Sequence, residues 1–294
     1  MAIRVDGLTH VYPNGVHALN GVSFEASGAF GLVGPNGAGK TTLMRILATL
    51  HAPASGVAEV EGVPVGRVEE VRKMLGYLPQ HVDFYPSLTA FETLEYFSLL
   101  SDVAPRPARL RELLALVGLS GAVDRRVGGF SGGMKRRLGL AAALVHDPRV
   151  VIVDEPTAGL DPEGRIEVRN VLSALGAERT VLLSTHILSD VEAVCGRMAI
   201  LMEGRIRFVG TPQELAARVK GKVVELRLPA ATVDELRRNH KVVAVRYDGG
   251  EAIVRALWNG ESAPQDGAFV EPSAEDGYFY LLHEASSEGE PQEA

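Results

Sequence analysis

The sequence predicts an α/β fold: a largely parallel sheet with an antiparallel β edge, an inserted helical block and a small α+β appendage at the C-terminal end. Three observations predict it. Short β-branched runs alternate with helical patterns, which is the sequence order of a parallel sheet. A glycine-rich loop, Gly34-Pro35-Asn36-Gly37-Ala38-Gly39-Lys40-Thr41-Thr42, joins one such run to a helical pattern. A third run, residues 150–153, is continuously apolar, as a strand buried on both faces must be, and it ends on two adjacent carboxylates, Asp154 and Glu155.

The elements follow in order. Over residues 1–24, apolar and polar types alternate (Ile3, Val5, Leu8, then Val22 and Phe24) around a turn at Pro13-Asn14-Gly15, giving two or three short edge strands. Residues 29–33 form the strand that enters the glycine-rich loop, and 41–50 carry the helix that leaves it. After a turn at 53–56, residues 57–60 and 63–65 read as a hairpin. The character then changes. Leu88, Phe91, Leu94, Phe97 and Leu100 recur at helical spacing, as do Leu110, Leu113, Leu114 and Val117. A helical block, about 88–128, is thus inserted between two α/β pieces. Residues 150–153 and 180–184 are strands by composition, each followed by a helix. A composition shift near Lys220-Gly221 sets one domain at 1–219 and a second at 222–284, in which 223–228, 242–246 and 252–256 read as strands and 232–239 as a helix. Residues 285–294 are small and acidic, so they are expected to be disordered.

Composition narrows the function classes. The apolar share is 46% and the charged share 23%, those of an ordinary globular chain. The net charge of −7 is uneven: residues 1–221 hold 23 basic and 23 acidic side chains, and 222–294 hold 7 and 14. A neutral first part gives no electrostatic footprint for nucleic acid, so no DNA or RNA partner is expected. No stretch approaches 18 uninterrupted apolar residues, and the N-terminus lacks the basic head and apolar run of a signal peptide. The lone cysteine, Cys195, suits a reducing compartment and a packing role.

The glycine-rich loop matches G-x-x-x-x-G-K-[ST] in the strand-to-helix context its mechanism needs. Backbone N–H groups curled around phosphate oxygens, next to a helix N-terminus, make an anion site. Lys40 is expected to bridge the β- and γ-phosphates, with the Thr41 hydroxyl on Mg2+. A parallel strand delivers Asp154 to the edge where nucleotides bind, where it would hold Mg2+, and Glu155 would then be the general base for the attacking water.

Phe130-Ser131-Gly132-Gly133-Met134 resembles the signature motif of ATP-binding cassette (ABC) proteins, with Phe where Leu is usual and Met where Gln is usual. Ser131 should cap a helix. Lys135, Arg136 and Arg137 crowd the start of that helix, where the macrodipole disfavours cations, an arrangement that an anionic ligand would relieve. The resemblance covers residues 1–219 and implies a P-loop NTPase cassette whose helical subdomain carries the signature. It further implies a nucleotide contact and Mg2+ sensing at Gln80 in Tyr77-Leu78-Pro79-Gln80, and an interface loop at Gly159-Leu160-Asp161. A switch histidine is implied at His186, and an adenine-stacking aromatic at Tyr12. In that family two cassettes pair so that Ser131, Gly132, Gly133 and Met134 of one chain meet the ATP held by the other.

The Gly-Gly-Met-Lys-Arg-Arg run, the single cassette and the appendage are similar to ATPases of ABC-2 type exporters. The resemblance thus implies a dimeric ATPase on the cytoplasmic face of a membrane, driving an integral membrane permease. A soluble ABC ATPase acting on nucleic acid or ribosomes is the alternative, along with an importer subunit. Residues 270–282 resemble the segment that closes many such exporter ATPases, with an expected role in stabilising the dimer or the cassette.

Overall fold

Two long antiparallel strands, β1 (Ile3–Val11) and β2 (His17–Ala26), open the chain, and their alternation sends Ile3, Val5, Leu8, Leu19 and Val22 inward. The computed structural model describes residues 2–260 and 262–288. Next come β3 (Ala29–Val33), α1 (Lys40–Leu47), β4 (Ser55–Val60) and β5 (Val63–Pro64). β1, β2, β4 and β5 make one antiparallel sheet in the order β2-β1-β4-β5.

After α2 (Val68–Met74) and β6 (Leu75–Leu78), the chain enters the helical block. α3 (Ala90–Leu100) starts on a capping box in which the Thr89 hydroxyl accepts from the Glu92 N–H and Glu92 accepts from the Thr89 N–H. α4 (Pro107–Leu116) starts on a proline, whose missing N–H costs nothing in a first turn. α5 (Gly132–Ala143) then leads back to the sheet through β7 (Val150–Asp154), α6 (Pro162–Glu178), β8 (Thr180–Thr185), α7 (Leu188–Val194), β9 (Arg197–Met202) and β10 (Arg205–Gly210). The second sheet runs β10-β9-β3-β8-β7-β6, with parallel pairing from β9 through β6. Leu43, Met44, Ile46 and Leu47 of α1 are fully buried in one cluster with Leu8, Leu19 and Val60 of the first sheet and Ile152, Leu182 and Leu201 of the second. α6 and α7 pack on the parallel sheet against β3 and β8. The mixed sheet, antiparallel edge and helical subdomain expected of a cassette are all present.

The division into two units falls between Val209 and Gly210, about ten residues before the composition shift. α8 (Pro212–Ala217) explains the difference, because it packs within the C-terminal unit on its last helix, a pairing that composition does not reveal. That unit continues with β11 (Val223–Pro229), α9 (Val233–Asn239), β12 (Lys241–Asp248), β13 (Glu251–Leu257), β14 (Gly267–Phe269) and α10 (Ala274–Glu288). Its antiparallel sheet, β12-β13-β11-β14, has Val224, Leu226, Val254 and Ala256 in one cluster with Val233 and Leu236 of α9. Val219, Val223, Leu257, Phe279 and Tyr280 form another. The α+β reading of the appendage thus stands, with α8, β14 and α10 added to it.

α10 is anchored by Asp276, fully buried, which receives the forked Arg255 guanidinium at 2.8 and 2.6 Å and the Ser273 N–H at 2.7 Å. Burial pushes its carboxyl up, but these donors outweigh that and hold it below the usual carboxylate range. Once so anchored, a helix extends at one hydrogen bond per residue. It therefore continues through 285–288, which had been expected to be disordered; residues 289–294 of that expected tail lie outside the described residues.

Candidate functional site

Parallel pairing places the C-terminal ends of β3, β7 and β8 side by side on one edge of the sheet. The segments leaving those ends carry the glycine-rich loop, Glu155 and His186. Two glycines of the loop are dictated by space. A Cβ on Gly34 would lie 2.1 Å from the Leu201 carbonyl oxygen. Gly39, at φ 104°, starts α1 in the left-handed region, and a Cβ there would lie 2.3 Å from the Ala18 carbonyl oxygen.

Lys40 opens α1 and turns back under the loop. Its ammonium donates to the Gly34 and Pro35 carbonyls at 2.7 and 3.1 Å and lies 3.5 Å from Glu155 Oε1. The other carboxylate oxygen, Oε2, is 2.9 Å from His186 Nδ1. An ammonium, a carboxylate and an imidazole therefore stand in a row, with Lys40 and Glu155 each only 6% exposed. Glu155 also has a backbone φ of 50°, a left-handed conformation that a non-glycine residue keeps only when its surroundings enforce it.

Asp154, one residue earlier, is fully buried, and among the described residues neither of its carboxylate oxygens has a hydrogen-bond partner. The Ser184 hydroxyl, on the residue paired with Asp154 across the sheet, is likewise buried and without a partner among the described residues. Orphaned buried carboxylate oxygens are costly unless something ligates them.

Tyr12, Asn36, Gly37, Ala38, Gly39, Lys40, Thr41, Thr42, Gln80 and Glu155 line one open cleft of about 440 Å3, together with Val16, His17 and Ala18. The Tyr12 hydroxyl is 2.9 Å from Thr42 Oγ1, and its ring is met edge-on by His10 and His51 at 4.9 and 6.2 Å. Lone residues spread over 140 positions of sequence thus meet at one place. Ser131, Gly132, Gly133, Met134 and Asp161 do not line it. Ser131 Oγ accepts from the Met134 N–H at 3.2 Å and caps α5, and Asp161 Oδ1 accepts from the Gly164 N–H at 3.0 Å and caps α6. Gly132 borders a separate groove of about 200 Å3 shared with Gln80, Lys135, Gly159 and Leu160.

One expectation needs correction. Of the three cations crowding the start of α5, two are already engaged within the chain. Arg137 pairs with Glu167 at 2.8 Å, and Arg136 turns inward to bond backbone carbonyls. Lys135 lies on a different face of the helix from these two, since long side chains on adjacent positions point to different faces.

Sequence reasoning missed Arg136 as a site residue. It also missed Asp190, fully buried, which accepts from the Thr157 hydroxyl and from Arg169 Nε at 2.8 Å. Its one signal was an acidic residue on the apolar face of a short helix. Cys195 is buried, and burial pushes its thiol up to about 12, which fits the packing role expected of it.

Comparison with known proteins places these features. The family model described as ABC transporter matches residues 19–158. An uncharacterised ABC transporter ATP-binding protein of Bacillus subtilis (strain 168) is 40% identical over 244 residues, covering 82% of this chain and 81% of the relative. A daunorubicin-resistance ATP-binding protein of Streptomyces coeruleorubidus is 37% identical, covering 95% of both. Among solved structures, one titled as the ATP-binding subunit of an ABC transporter superposes with a TM-score of 0.67 at 28% identity, covering 74% of this chain and 93% of that one.

Proposed function

Because the chain belongs to the ABC transporter family of ATP-binding subunits, we propose that it binds ATP at the Lys40 cleft and hydrolyses it with Glu155 as base. Hydrolysis then powers export through a separate integral membrane permease of the ABC-2 type. The row Lys40–Glu155–His186 at the mouth of a phosphate-binding loop carries this reading.

Lys40 now has two carbonyls and a carboxylate as acceptors. Phosphate oxygens entering the loop are stronger acceptors and draw the ammonium toward the β- and γ-phosphates. That frees Glu155 Oε1 to take a proton from water, while His186 holds Oε2 in place. The water oxygen bonds to the γ-phosphorus, the bond to the β–γ bridging oxygen breaks, and ADP departs with that electron pair. Lys40→Ala should weaken ATP binding by about ten- to a hundredfold, the value of a charge-assisted hydrogen bond, measured by titration with a fluorescent nucleotide. Unchanged affinity would contradict the phosphate-loop reading.

The oxygen ligands present fit Mg2+. Asp154 offers oxygens without partners among the described residues, and Thr41 and Gln80 offer a hydroxyl and an amide at the cleft. This is a hard, all-oxygen set, too small to enclose an ion without phosphate oxygens. Bound there, Mg2+ would neutralise charge on the phosphates.

Tyr12, which lines the cleft, supplies a ring for adenine. Tyr12→Ala should raise the KM for ATP by about fivefold to a hundredfold, the range of one base–aromatic stack, with Tyr12→Phe near wild type. Equal effects of both variants would show that the hydroxyl bond to Thr42, not stacking, is what Tyr12 contributes.

Ser131, Gly132, Gly133 and Met134 do not line this chain's own cleft, and the start of a helix there suits a γ-phosphate held by a second copy in a two-fold dimer. Asp161 would lie at that junction. Among the described residues no helix is long and apolar enough to cross a membrane, so a separate permease would hold the chain at the cytoplasmic face. The export assignment draws on the resistance protein's name and near-complete overlap. Co-expression of the chain with candidate permeases tests it: a permease of the ABC-2 type should co-purify and stimulate ATP turnover, whereas capture by an importer permease, or by ribosomes, would overturn it.

A further inference from the structure

Five carbonyl oxygens converge on one buried side chain. A guanidinium carries five N–H donors, and on Arg136 each has an acceptor. Nε donates to Pro156 at 3.3 Å, Nη1 to Pro79 and Gln80 at 2.5 and 2.7 Å, and Nη2 to Glu155 at 2.6 Å and to Asp154. The residue is only 8% exposed, and among the described residues no carboxylate oxygen lies within ion-pair distance of it. Asp154 and Glu155 favour its charge from farther away, against the desolvation that lowers its pKa.

A buried cation with only carbonyl partners is a costly choice for a helix face, where an aliphatic side chain would pack without that cost. Its partners are not scattered. They are the end of β6 running into Pro79 and Gln80, and the end of β7 running through Asp154 to Pro156. The bonds to Glu155 bear on its strained backbone. Its N–H is held by the Ser184 carbonyl at 2.9 Å and its carbonyl by Arg136, so both peptide groups that fix the φ of 50° are pinned.

We propose that Arg136 is a positioning residue that sets the conformation of Glu155 and locks it to the Gln80 segment through one planar fork. The fork is rigid, so a shift of residues 79–80 is passed to 154–156 and to the base, and the helix that begins at Ser131 moves with them. This rests on the assignment of Glu155 as base. A lysine cannot substitute, because its three donors radiate from a single nitrogen and cannot span two segments.

The test uses the full chain with Mg2+ and ATP. Arg136→Lys should lower kcat by about ten- to a hundredfold, the cost of misplacing a catalytic group by an ångström, with the KM for ATP within about twofold of wild type. Arg136→Ala, where it folds by thermal melting, should regain kcat several-fold on adding guanidinium ion and not on adding ammonium or sodium at equal strength. Wild-type kcat in the lysine variant, a loss of ATP binding equal to the loss of kcat, or a folded alanine variant indifferent to guanidinium each overturns the proposal. If Arg136→Ala does not fold, the lysine variant alone decides. A wild-type chain that fails to hydrolyse ATP under the same conditions would instead overturn the reading of Glu155.

Discussion

Glu155→Gln should leave ATP binding intact and cut turnover by about a hundredfold to ten-thousandfold, the range ascribed to a positioned general base. The amide is the same size as the carboxylate and keeps an oxygen for His186, so the 2.9 Å contact and the left-handed backbone survive. What is lost is the proton acceptor. The charge facing Lys40 at 3.5 Å is lost as well, which leaves the ammonium freer for phosphate, so affinity should hold or rise. Phosphate release under single-turnover conditions, beside nucleotide titration, separates the two effects. If the variant turns over at near wild-type rate, Glu155 is not the base and the carboxylate row must have another purpose.

Ser131→Arg should abolish ATP-dependent association of two chains, and steady-state turnover with it, while a single chain still binds nucleotide. The residue is exposed, and its side chain accepts the capping bond from the Met134 N–H, worth about 1 kcal/mol. That loss is small beside the burial of Leu138, Leu140 and Ala141 on the same helix, so α5 should persist. A long cation in its place blocks close approach of a second surface to the Gly132 and Gly133 N–H groups. Combined with Glu155→Gln and ATP, gel filtration should show monomer where Glu155→Gln alone shows dimer. A dimer in both removes the signature residues from the interface.

Much of this architecture was legible from residues alone. The glycine-rich loop and the apolar run before Asp154 were readable because each is a contiguous stretch whose chemistry depends on neighbouring positions. Gln80, His186 and Tyr12 were singled out through family resemblance alone, since a single Gln, His or Tyr carries no local pattern. Arg136 was misread because its sequence context is a basic run at a helix start, which suggests a charged surface. Its true partners are carbonyls 18 to 57 positions away, and carbonyls are identical in every residue. The unit boundary was misplaced for a related reason: α8 pairs with α10, and such long-range helix contacts leave no mark on composition.

The cluster of buried Thr157 and Asp190 with half-buried Arg169 has a mechanical consequence. It rivets the turn just past Glu155 to the short helix just past His186, although thirty residues of chain separate them. Base and imidazole therefore ride on a common chassis, and a push on the turn at Gly159 should tilt the His186 ring in step with Glu155 rather than pull the two apart.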